Sequence, residues 1–176
     1  MRTLIRPLAG IAAVGLLVSI YVHVSAWIGV AMTPLAAWML ALHLTAILLA
    51  FPMIVAGHLI AGDPMDVAYL SSSDVHLVLQ ACSPAMRGVI YGFAGYAMVN
   101  FAFFAWQIAS GAHVDDAATL RGFSGHWMAF FAAEMAIMWT YVTRATTVAR
   151  CPNGHPVSPN ANFCEICGQP VARGPA

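Results

Sequence analysis

Four residues near the C-terminus, Cys151, His155, Cys164 and Cys167, fall in the pattern C-x3-H-x8-C-x2-C within the stretch CPNGHPVSPNANFCEIC. Three thiols and one imidazole make a complete tetrahedral ligand set for zinc, with no position left open for a substrate, so the chemistry they predict is structural. Gly154 and Gly168 can take backbone angles closed to other residues, which lets peptide N–H groups turn toward the thiolates and offset their charge. Pro152 and Pro156 stiffen the first knuckle. So short a segment buries no useful core, and metal binding must supply its folding free energy, on the order of 10 kcal/mol in comparable peptides. Clustered in this way, the cysteines indicate metal binding in a reducing compartment rather than disulfides.

A second set of polar residues lies inside apolar sequence, where an ionisable side chain costs several kcal/mol unless it is paired or hydrated. His23 and His43 are equidistant from Met32-Thr33-Pro34, and His126 falls about 6 Å nearer the outer surface at 1.5 Å per residue. These three histidines are candidates for a second metal or a haem; the alternative is that each imidazole hydrogen-bonds a hydroxyl or a carbonyl. His23 shares a helical stripe with Ala12, Ser19 and Ala26, and His43 shares one with Ala36, Ala46, Ala50 and Gly57, both suited to close packing. Direct packing of such stripes disfavours a porphyrin between His23 and His43 and leaves copper or zinc easier to hold. Glu134 lies mid-span, and pairing across the preceding loop places Asn100 at its depth, giving either a quiet hydrogen-bonded pair or a site for protons or a cation. His58, one turn beyond Pro52, reads as a polar filler at a kink. No nucleophile with a matched base, phosphate-binding loop or catalytic carboxylate pair is present, so no catalytic residue is assigned.

The elements that must position these residues are helices. The chain of 176 residues is 61% hydrophobic and only 8% charged, too little charge for the surface of a soluble domain. A transmembrane helix needs about 20 apolar residues. Four such runs are read near 8–31, 35–61, 88–110 and 123–146, giving an all-α membrane fold: a four-transmembrane-helix bundle over residues 1–148 with a small zinc ribbon at 151–171. Pro34 opens the second helix of a tight hairpin. Ser73 or Asp74 caps a short surface helix in the long middle loop, and Ser124 caps the last span. Gly125, Ala129, Ala132 and Ala136 form a small-residue face on that span, suited to close packing.

Every basic residue is an arginine, and six of the seven flank what are then inner ends: Arg2, Arg6, Arg87, Arg144, Arg150 and Arg173, against Arg121 alone outside. Basic residues accumulate on the cytoplasmic side, so both termini are expected there, in a bacterial inner membrane. Trp27, Trp38, Trp106 and Trp127 are expected at the outer interface. The alternative for residues 1–26, a cleaved signal peptide, is disfavoured because the apolar run continues into IGVAM. A net charge of zero without a basic patch argues against nucleic acid. The expected partners are the lipid bilayer, a protein met by the ribbon at the cytoplasmic face, and, through Glu134, a second copy of the chain in an oligomer.

The stretch CPNGHPVSPNANFCEICGQPV resembles the small zinc ribbons that end many prokaryotic membrane proteins, with His155 in place of the second cysteine and shifted by one residue. LHLTAILLAFP and RGFSGHWMAFF are similar to segments of a group of bacterial four-helix membrane proteins with such a C-terminal zinc-ribbon tail. The resemblance implies a fold and a compartment, and no activity comes with it. From the residues, the leading expectation is a scaffold or accessory protein whose ribbon makes cytoplasmic contacts. The second is a small redox or metal-handling protein that uses the outer-half histidines.

Overall fold

A computed structural model describes residues 2–30, 35–61, 72–144, 151–153, 162–164 and 166–171. The chain forms two compact units, Met1–Val142 and Thr143–Ala176. The first contains five helices: α1 (Arg2–Trp27), α2 (Leu35–Ala61), α3 (Ser72–Ala81), α4 (Pro84–Ala109) and α5 (Asp116–Arg144). No strand is present among the described residues; the second unit has a single antiparallel bridge between Phe163 and Pro170.

The helix ends follow from local chemistry. Ser83 accepts a hydrogen bond from the Met86 amide, with Pro84 in the first turn where its missing N–H costs nothing. At the other end of α4, Gly111 has φ +72° and the Ala112 amide reaches back to the Gln107 carbonyl at 3.1 Å. Gly29 closes α1 in the same manner, with φ +73° and the Val30 amide on the Ser25 carbonyl at 2.9 Å. Both are left-handed caps of the kind glycine permits.

α5 begins earlier than expected, and Asp115 rather than Ser124 caps it, its Oδ1 accepting from the Ala118 amide at 2.7 Å. Ser124 is thereby placed inside α5 and fully buried. The short middle helix exists, but it starts at Ser72, so Ser73 and Asp74 belong to its first turn rather than preceding it. The turn at Met32-Thr33-Pro34 lies outside the described residues.

Helices α1, α2 and α4 are long and apolar enough to cross a membrane, and α5 is not among them. Burial gives the reason. Leu40, Leu44, Ile47, Leu48 and Phe51 form one exposed stripe along α2, and Val14, Leu17, Tyr21 and Val24 form another along α1. Apolar stripes this long face lipid or a partner rather than water. On α5 the large side chains Trp127, Phe131 and Met138 are wholly buried while Phe130 and Trp139 are exposed, so one face of it packs in protein and tolerates Ser124, Glu134 and Thr140 there. Trp127 is thus a core residue and not an interfacial one, because α5 presents it inward to His43. Trp27 and Trp106 are well exposed and stand outside the core.

Two glycines let helices approach α5 closely. A Cβ on Gly15 would stand 2.6 Å from the Phe131 ring, and one on Gly122 would stand 2.6 Å from the Phe104 ring. The contacts His23–Ser124 and Gly15–Phe131 run in opposite directions along the two chains, so α1 and α5 are antiparallel.

Candidate functional site

In the second unit, the Sγ atoms of Cys151, Cys164 and Cys167 lie within 4.8 Å of one another, the one group of three or more potential metal ligands among the described residues. Cys151 and Cys167 are 3.7 Å apart at sulfur. A disulfide would need about 2.05 Å, whereas two thiolates about 2.3 Å from a tetrahedral ion stand about 3.8 Å apart. The knuckle is built by the backbone. Gly168 has φ +69° and its amide meets the Cys164 carbonyl at 2.8 Å, while the Cys164 amide meets the Gln169 carbonyl at 2.8 Å. The Val171 amide closes the small hairpin on the Asn162 carbonyl at 3.0 Å. Three ligands of the set are therefore brought together and can hold a metal ion; His155, the fourth, lies outside the described residues.

The three candidate histidines of the first unit separate. His23 and His43 do dock on neighbouring positions of α5, which agrees with equal depth, but they turn to different partners. Trp27 Nε1, a donor only, gives its proton to His23 Nε2 at 2.9 Å, so that nitrogen carries the lone pair. The Tyr96 hydroxyl also points at Nε2. His23 Nδ1–H then donates to Ser124 Oγ at 2.7 Å, and the Ser124 hydroxyl passes its own proton to the Leu120 carbonyl. Both nitrogens of His23 are thus satisfied by protein, and the imidazole is a structural member of a buried chain of donors. This removes His23 from the candidate ligand set: counting from a turn fixes depth but not rotation about the helix axis.

His43 and His126 face each other, with their Nε2 atoms 3.3 Å apart and ring centroids 5.2 Å apart. His43 Nδ1 lies 2.8 Å from the Met39 carbonyl, an acceptor only, so Nδ1 bears the proton and Nε2 the lone pair. Trp127 sits perpendicular to the His43 ring at 89°, with its Nε1 3.2 Å from Nδ1 and 3.4 Å from Nε2; because Nδ1 bears the proton, Nε2 is the nitrogen that can accept from it. Phe123 packs edge-on against both imidazoles and Phe130 against His126. A haem held between the pair does not fit. Two trans ligands at about 2.0–2.1 Å would be about 4 Å apart along one line, and these Nε2 atoms stand at 3.3 Å.

The Glu134–Asn100 pair is not formed. Asn100 Nδ2 donates to the Arg121 carbonyl and, at 3.4 Å, approaches that of Gly122. Because α5 starts at Asp116, Asn100, nine residues before Ala109, meets Gly125, nine residues after Asp116; a Cβ on Gly125 would stand 2.7 Å from Asn100 Nδ2. Glu134 is 1% exposed and its Oε2 has no partner among the described residues; the same holds for both ring nitrogens of buried His58. Arg121 reaches the Ala26 carbonyl at 3.2 Å and lies over the Trp27 ring at 5.2 Å, tying α5 to the end of α1.

The sequence missed Tyr96, Trp127 and Met39 as partners of the histidines. Only Trp127, adjacent to His126, carried a signal. No protein-family model matches the chain, and no curated protein or solved structure is significantly similar to it.

Proposed function

We propose that the chain is an integral protein of a bacterial inner membrane, related to four-helix proteins with zinc-ribbon tails, that acts as a scaffold or accessory protein. In this reading α5 is a fourth span shielded by α1, α2 and α4, both termini are cytoplasmic, and Cys151, His155, Cys164 and Cys167 hold a structural zinc. The tail then presents a rigid polar knob for protein contacts at the cytoplasmic face. The observation that carries the reading is the 3.7 Å separation of the Cys151 and Cys167 sulfurs, the spacing of thiolates around a tetrahedral ion rather than of a disulfide. Zinc is the ion that such a sulfur-rich closed set suits. The test is Cys164→Ser in the full chain. Zinc bound to the tail should be lost, the tail should become protease-sensitive, and proteins that co-purify with the parent should be released while helical content is kept. If zinc is lost but every co-purifying protein stays, the ribbon is only a cap on the chain.

A second reading, a small metal-handling membrane protein, is favoured by one separate observation: the facing Nε2 atoms of His43 and His126. No catalytic step is assigned in either reading.

A further inference from the structure

The facing imidazoles of His43 and His126 lie on different helices, α2 and α5, and their meeting needs an explanation beyond packing. At 3.3 Å the contact lies at the long end for a hydrogen bond between two imidazole nitrogens. Two imidazole nitrogens bound at about 2.0–2.1 Å to one tetrahedral ion stand about 3.4 Å apart. We propose that His43 and His126 are two adjacent ligands of a second metal site in the helical unit, one that takes a first-row ion of the zinc or copper kind and leaves positions open for exogenous ligands. The inference rests on the metal-handling reading and is independent of the tail.

Three further features fit a ligand pair. The Met39 carbonyl fixes the proton of His43 on Nδ1, the arrangement in which a metal-bound histidine donates its remote N–H to a backbone oxygen and aims Nε2 at the ion. The Trp127 N–H stands 3.4 Å from Nε2, a long contact that leaves this lone pair weakly held and open to an ion. Phe123 and Phe130 wall the pair with apolar edges, which limits water and strengthens the bonds that an ion makes there. His23, whose nitrogens are taken by Ser124, Tyr96 and Trp27, stands outside the site and serves as its internal control.

The experiment counts zinc by metal analysis in the full-length protein, purified in detergent, equilibrated with zinc and dialysed. His43→Gln and His126→Gln should each lower the count by one equivalent per chain, His23→Gln should not, and Cys164→Ser should remove a different equivalent, so that the Cys164→Ser, His43→Gln double variant loses both. His126→Cys should restore the equivalent, a rescue that general unfolding would not give, and circular dichroism should show unchanged helix content. If neither the His43 nor the His126 replacement changes the count, the pair is a hydrogen bond and the proposal falls. If His23→Gln leaves the count unchanged as well, the metal-handling reading falls with it. If His23→Gln alone lowers the count, metal handling stands but this site does not.

Discussion

At the residue scale, the chain uses its few polar side chains in two distinct ways. His23 belongs to a closed circuit in which Trp27 and Tyr96 donate, Ser124 relays, and the Leu120 carbonyl ends the chain. Each group of this chain of donors has a partner, which is what a low-dielectric interior demands. His43 is instead anchored at Nδ1 by the Met39 carbonyl, with Nε2 directed at another imidazole and approached by the Trp127 N–H at 3.4 Å. Glycine is the complement of this polar detail, because it lets α5 sit close enough for such contacts. Gly15→Ala should destabilise the helical unit by about 1–3 kcal/mol, since its Cβ would collide with a wholly buried phenylalanine ring that has little room to move. The thermal midpoint of the detergent-solubilised variant checks this; an unchanged midpoint would mean that Phe131 relaxes freely.

At the element scale, α5 organises the first unit. Its start at Asp116 sets its register against α4, bringing Gly125 rather than Glu134 to Asn100. A single side-chain cap defines that start. Asp115→Ala should cost about 1 kcal/mol through loss of the bond to the Ala118 amide, and Asp115→Ser should recover most of it. Unfolding midpoints of the two variants measured side by side test the assignment; equal losses would mean that the cap is not what holds the first turn. Arg121 in the second turn fastens the same end of α5 to α1 through the Ala26 carbonyl and the Trp27 ring.

At the scale of the whole molecule, the exposed apolar stripes of α1 and α2 and the buried face of α5 describe a bundle whose outer faces suit lipid. The arginine distribution predicts an orientation for it, with both termini cytoplasmic. Reporter fusions after Arg150 should register in the cytoplasm, and an impermeant label on a cysteine replacing His113 should react from outside. A periplasmic reporter would reverse the topology and set the thiol-rich tail in an oxidising compartment, where disulfides would compete with metal.

The apolar runs, the short middle helix and the tail's ligand spacing were legible in the sequence because each is governed by local chemistry. A spanning helix must satisfy its own backbone hydrogen bonds within one segment, and a chelating knuckle such as Cys164 and Cys167 closes over a few residues. Apolarity alone places the start of α5 too late, because Asp115 begins this helix in polar sequence. Which faces meet was decided only by tertiary structure. His23 and His43 have the depth that their spacing from the turn implies, yet rotation about each helix axis sends one to Ser124 and the other to His126. Trp127 reads as an interfacial ring and is buried, because it lies on the face of α5 that packs against the other helices. Azimuth and burial depend on what each helix packs against, and no single segment carries that information.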